Sequence, residues 1–176
     1  MRYTAVFESP IGPLTIVSDG EAVTGLDFPL WRGAPRTAAD GERREDLPIF
    51  RETRCWLETY FSGRDPGPAP LLRTGGTAFQ ELVWAELRNI PYGRLTTYGA
   101  IAGAIAEKTG RPQSAQAVGG AVGRNPVAIL IPCHRVVGKN GSLTGFGGGL
   151  DAKVALLESE GVDMTGLYRP AKGTAL

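Results

Sequence analysis

His134 is the only histidine in 176 residues, and it directly follows Cys133, one of two cysteines. A thiol attacks as its thiolate, and imidazole is the side chain best suited to take the proton near neutral pH. Adjacent side chains on an extended strand point to opposite faces, so a Cys133–His134 pairing requires a turn or a bridging water. Pro132 favours the turn by fixing its own φ and withdrawing a donor. A buried thiol beside an exposed imidazole is the competing reading of this dipeptide. One histidine and two cysteines fall short of the roughly three or four ligands of a conventional zinc site, so no metal is expected.

A base works best when a third group orients it. Apolar spacing from about Leu150 to Glu160, stopped by Gly161, predicts a last helix. On it Glu160 falls between the directions of Leu156 and Leu157, whereas Glu158 points away. A carboxylate at a helix C-terminus also opposes the macrodipole. An acid that is inward-facing and dipole-opposed suits a hydrogen bond from His134; a solvated helix end is the alternative. Lys153 lies on nearly the same face and is a second polar candidate. Gly145-Phe146-Gly147-Gly148-Gly149 lacks the Lys-Ser/Thr of a phosphate loop and the G-x-G-x-x-G spacing. It reads as a loop that approaches a flat ligand or another chain segment closely, with no nucleotide cofactor.

These groups need elements to hold them. Residues 3–7, 14–17 and 23–28 are β-rich around a Ser9-Pro10-Ile11-Gly12-Pro13 turn and an Asp19-Gly20 hairpin signal, predicting a small antiparallel meander. Residues 31–46 read as polar and irregular. A helix is expected from Pro48 to before Gly63, with Ile49, Phe50, Trp56, Leu57, Tyr60 and Phe61 at helical spacing and Cys55 as a buried small hydrophobe. Residues 64–70, RDPGPAP, read as a stiff linker near a domain boundary between 1–75 and 76–176. Thr77 and Gln80 fit a capping box, and Pro91-Tyr92-Gly93 stops the helix that follows. Helices over Thr97–Glu107 and about Gln113–Gly123 flank a turn containing Gly110, the pattern of a helix-turn-helix. Residues 127–131 read as a buried strand, and 135–137 with 142–144 as a hairpin around Lys139-Asn140-Gly141. The expected class is α+β: an N-terminal antiparallel sheet with a helix, then a largely helical second unit.

With 42% hydrophobic and 21% charged residues, the chain suits a globular protein with a real core. No apolar run approaches a membrane span, and Met1–Ala5 lacks a signal peptide's apolar segment. With few cysteines besides, a reducing, cytoplasmic setting is expected. The net charge of +1 hides an asymmetry: between 88 and 139 seven Lys or Arg stand against one acid, Glu107. Such a window attracts a polyanion such as a nucleic-acid backbone, or is simply a solvated basic face.

Ile131-Pro132-Cys133-His134-Arg135-Val136-Val137-Gly138 resembles the active-site motif of the O6-alkylguanine-DNA alkyltransferases, the methylated-DNA–protein-cysteine methyltransferases. The likeness extends through Pro91-Tyr92-Gly93, Tyr98, residues 117–121 and Asn125-Pro126, then through Gly148-Gly149-Leu150, Lys153 and residues 157–161. It covers most of 76–161, and more weakly the N-terminal meander. The resemblance implies a ribonuclease-like first domain and a winged helix-turn-helix-like second one that binds duplex DNA in the minor groove and flips the damaged base out. It implies that Cys133 accepts the alkyl group once and irreversibly from O6 of guanine, or less surely O4 of thymine, without a cofactor. His134 would be its base through a water, with Glu160 holding the imidazole, Asn125 bracing the turn and Tyr98 protonating the departing guanine. Ser114, Ala115, Gln116, Ala117, Gly119, Arg124 and Arg135 would meet DNA. Tyr98, Pro132, Val136, Phe146, Gly147, Gly148 and Lys153 would line the base pocket, in a monomeric protein. One departure stands out: many members carry Arg where this chain has Gln116, which lacks the charge and flat guanidinium. Rival readings are a lesion sensor, which would lack the cysteine; a regulator, which would carry further modules; and a cysteine hydrolase, which would not need the basic helix pair.

Overall fold

The computed structural model describes residues 1–31, 34–35 and 41–171. Alternating apolar residues build its first layer. Strand β1 (Tyr3–Ser9) pairs antiparallel with β2 (Gly12–Ser18), and β2 with β3 (Val23–Asp27). Ala5 faces Ile16 and Phe7 faces Leu14 across β1 and β2, so one face of the sheet is buried. The expected meander therefore forms, with an addition. Strand β4 (Leu30–Trp31) pairs with β5 (Ala34–Pro35), and β6 (Glu42–Arg43) joins β1 in parallel, giving the order β3-β2-β1-β6. This corrects the irregular reading of 31–46 at those positions, while 32–33 and 36–40 lie outside the described residues. Glu42 N–H donates to Arg2 O and Arg44 N–H to Thr4 O, both at 2.9 Å. An edge strand made through backbone alone leaves no apolar alternation to read.

Helix α1 (Pro48–Phe61) starts on a proline and buries Ile49, Phe50, Thr53, Leu57 and Tyr60. Cys55 is exposed, against the expectation, because it lies two residues from both Thr53 and Leu57 and so on the opposite side. Helix α2 (Ala78–Arg88) carries the predicted reciprocal cap of Thr77 and Gln80, and its Trp84 indole donates to Ala121 O at 3.0 Å. Helix α3 (Tyr98–Thr109) ends at Gly110, whose φ of 67° suits a residue without Cβ. Ser114 caps α4 (Ala115–Val122) by accepting from Ala117 N–H. Helix α5 (Leu150–Ser159) closes on Glu160.

Two expected strands are corrected. Residues 127–131 are buried as predicted but fold back on themselves. Ile129 has φ 71°, Leu130 N–H donates to Ala128 O and Ile131 N–H to Val127 O, both at 2.9 Å. The expected turn around 139–141 forms, Gly138 N–H donating to Ser142 O at 2.8 Å, but Val136–Val137 (β8) pairs in parallel with Thr96–Thr97 (β7) and not with residues 142–144. Leu143 N–H instead donates to Tyr168 O at 2.9 Å, so the C-terminal segment takes the place of the predicted partner. Among the described residues the fold is α+β, with a mixed four-stranded sheet and five α-helices. One apolar cluster runs from Ala5, Phe28 and Phe50 through Val118 and Ile129 to Cys133, Phe146 and Leu156. Among the described residues no helix is long and apolar enough to cross a membrane.

Candidate active site

Pro132 sits at φ −79°, ψ 63°, an inverse γ-turn closed by Cys133 N–H donating to Ile131 O at 2.8 Å. The chain then makes one 3-10 turn over Cys133–Arg135 before β8. The pair is thus not extended, as the proline suggested. Asn125 spans the preceding loop: its Nδ2 donates to Ile131 O at 2.8 Å, and its Oδ1 accepts from Val127 N–H at 3.0 Å.

His134 is fully buried, its Nε2 2.5 Å from Glu160 Oε1. Glu160 gathers further donors. Its Oε1 also accepts from the Tyr60 hydroxyl at 2.7 Å and Arg135 Nη2 at 3.1 Å. Its Oε2 accepts from Arg135 Nε at 2.9 Å and Gly93 N–H at 3.0 Å. Burial works to raise the carboxyl, but His134 and Arg135 outweigh it and hold Glu160 at about 2. Burial pushes the imidazole down. Facing an ionised acceptor, neutral His134 carries its proton on Nε2 and keeps its lone pair on Nδ1. Nδ1 is buried and has no hydrogen-bond partner among the described residues.

Cys133 is 3% exposed, and burial pushes its thiol up to about 11 against the opposing pull of the Asn125 side chain and the Lys153 ammonium. At neutral pH it rests as a thiol and needs a proton acceptor. Lys153, fully buried, donates to Val136 O at 2.5 Å and Thr144 O at 2.9 Å, and burial draws it down to about 8. The Tyr98 hydroxyl donates to Thr144 O at 3.0 Å; burial, then the Cys133 charge, push it up to about 12, so it stays protonated.

Cys133, His134, Glu160, Asn125, Tyr98 and Lys153 therefore come together. Val136 is buried among them, and the Phe146 ring lies edge-on to His134 at 6.4 Å and to Phe28 at 5.7 Å. A Cβ on Gly148 would come within 2.7 Å of Phe146, and Gly147 is buried in the same loop. A cavity of about 570 Å³ lies between the proline-rich linker, Trp56, Tyr92 and Arg135. Of the expected pocket residues only Pro132 borders it; the Phe146 ring packs against His134 and Phe28, and the Tyr98 hydroxyl is bonded to Thr144 O. Ser114, Ala115, Gln116, Ala117 and Arg124 are exposed on and beside α4, as a contact surface requires. Gly119 and Arg135 are not, which corrects their expected place on that surface. Gly119 packs inside α4, and Arg135 is spent on Glu160 and on Ile90 O, to which Nη1 donates at 2.7 Å.

Two contributors were missed: Tyr60, read as core, and Gly93, read as a helix stop. The only signal for Tyr60 was that a phenol in an apolar stripe needs a hydrogen-bond partner. Gly93 gave its signal as a turn, without an address.

The site defines a class: a protein that buries a cysteine beside a His–Glu pair, behind a short helix exposing small and polar residues. Comparison with known proteins makes it specific. Residues 78–162 match the model of the 6-O-methylguanine DNA methyltransferase DNA binding domain, and residues 1–66 that of the same family's ribonuclease-like domain. A methylated-DNA–protein-cysteine methyltransferase of Haemophilus influenzae is 45% identical over 90% of this chain and 86% of its own. That of Methanosarcina acetivorans is 44% identical over 90% and 98%. The structure of Mycobacterium tuberculosis OGT in complex with DNA aligns with TM-score 0.77 and 40% identity, covering 90% of this chain and 92% of that one. The chain belongs to the 6-O-methylguanine DNA methyltransferase family, the methylated-DNA–protein-cysteine methyltransferases.

Proposed function

We propose that the protein repairs alkylated guanine in duplex DNA by moving the O6-alkyl group to Cys133 Sγ, once per molecule. The observation that carries this reading is the buried Cys133–His134–Glu160 arrangement, with a thiol protonated at rest and imidazole Nδ1 free to accept. The Cys133 proton passes through a water to Nδ1, while Glu160 balances the imidazolium. The thiolate attacks the alkyl carbon in line; the S–C bond forms as the C–O6 bond breaks, and its electron pair leaves with guanine. The Tyr98 hydroxyl protonates the departing base, and the imidazolium gives its proton back to the Tyr98 oxygen through water, so that in net guanine gains one proton for the one the thiol loses. A thioether resists hydrolysis, so in this reading the protein is a reagent used once.

In this reading residues 76–176 form the DNA-binding and reacting domain, with α3 and α4 as the helix pair of a winged helix-turn-helix, and residues 1–75 form the supporting domain. Ser114, Ala115, Gln116 and Ala117 enter the minor groove and Arg124 meets the backbone. The target nucleotide is flipped toward Tyr98, Phe146, Gly147 and Gly148. Entry of the base breaks the Tyr98–Thr144 bond and moves the Phe146 loop. The protein acts as a cytoplasmic monomer.

Tryptic mass spectrometry after mixing with an O6-methylguanine duplex tests the reading. The Asn125–Arg135 peptide should gain one methyl in place of one hydrogen, in proportion to protein and without recycling. Unmodified protein that still binds the lesion would make it a sensor. Free Cys133 recovered after turnover would make it a hydrolase.

A further inference from the structure

The geometry points to Tyr60 as a positioning residue for the alkyl transfer, aiming His134 from an element of the N-terminal half; the inference rests on the reaction proposed above. Tyr60 is fully buried on α1, 74 positions before His134 in the chain. Its hydroxyl donates to Glu160 Oε1 at 2.7 Å and lies 3.2 Å from His134 Nε2. With the phenol proton committed to Glu160, the lone pair of the same oxygen faces Nε2–H. The imidazole proton is thus shared between two acceptors, which fixes the ring plane and with it the direction of the Nδ1 lone pair.

The ring cannot swing away. It stacks on Trp56 at 5.6 Å and meets Phe61, Tyr92 and His134 edge-on at 5.2, 6.1 and 6.2 Å. The charged and titratable groups around it are Glu160, Arg135, His134 and Tyr92. Oε1 already has donors in His134 and Arg135, so satisfying the carboxylate does not require a phenol. Phenylalanine would fill the same space. What the hydroxyl adds is direction at Nε2.

The test is Tyr60→Phe in the full chain, read as the single-turnover rate of methyl transfer to Cys133 at saturating O6-methylguanine duplex. Near pH 7 the rate should fall about tenfold, with duplex affinity held within about twofold. Near pH 10 the deficit should shrink, since the pH then approaches the thiol's own value of about 11 and more of it ionises with less help from His134. In a Glu160→Gln background the same substitution should cost almost nothing more, because the two groups act as one unit. Site-specific 3-fluorotyrosine at position 60 keeps shape and hydroxyl, and should keep the rate within about twofold. An unchanged rate near pH 7, or an equal loss at both pH values and in both backgrounds, overturns the inference and leaves Tyr60 a core residue. If wild-type protein fails to take the methyl group, the reaction itself is wrong, which Tyr60 variants cannot mimic.

Discussion

Glu160 is the residue on which most of the site converges, since it faces His134, Tyr60, Arg135 and Gly93 at once. Replacing it with Gln keeps the shape and removes the charge. Arg135 is then buried without a counter-ion, so we expect Glu160→Gln to cost about 3–5 kcal/mol in denaturant unfolding. Methyl transfer should slow about a hundredfold as the imidazolium loses its partner. Acid should act through the same residue. Its folded value of about 2 lies below the ordinary 4.5, so it contributes stability present above 4.5 and lost as pH falls toward 2. That contribution is on the order of 3 kcal/mol. His134, held neutral by burial, adds to the trend: below 6.5 the unfolded chain takes a proton that the folded one refuses. Melting temperature against pH should therefore begin to fall below about 6.5 and steepen below about 4.5, and Glu160→Gln should lose the second limb. Helix phase alone had pointed Glu160 inward, so it was legible in the sequence. Tyr60 was not, because periodicity tells which face is buried but not which buried group a hydroxyl will meet.

At the scale of elements, α4 and the loop after it connect the exposed Gln116 to the buried Cys133. Helix α4 exposes Ala115, Gln116 and Ala117 near its Ser114 cap, so the proposed contact surface and the segment of Cys133 lie in one short stretch of chain. Gln116 brings no charge to that surface. Gln116→Arg should tighten binding to an O6-methylguanine duplex about fivefold at low salt and quicken repair. Titrations at two salt concentrations check it, and no gain in either quantity would show that this position does not enter the duplex. Helices were readable from their ends: Pro48, the Thr77–Gln80 cap and Gly110 each mark a boundary within about two residues. The loop over 127–131 was not, since a run buried on all sides has no period to distinguish a strand from a chain doubling back. Its positive φ at Ile129, which a β-branched residue adopts only under constraint, leaves no mark in composition.

Across the whole molecule the two halves are fastened at separate points. Leu26 N–H donates to Pro126 O at 2.9 Å, Phe28 meets Phe146, and Tyr60 meets Glu160. All three join residues before position 75 to the segments that hold Cys133 and His134. We expect a single calorimetric unfolding transition whose van't Hoff and calorimetric enthalpies agree; two resolved transitions would mean that the halves melt independently. The burial of Cys133 has one more consequence, in redox chemistry. Peroxides oxidise the thiolates they can reach, first to sulfenic acid and then to irreversible sulfinic and sulfonic acids. Cys55 lies open on α1 while Cys133 is buried and protonated at rest. Under dilute hydrogen peroxide Cys55 should become sulfenic acid first, with Cys133 still able to accept a methyl group, as peptide mapping over time would show. In the proposed reaction, which uses the thiol once, Cys133 is held in reserve by the same packing that makes it depend on His134.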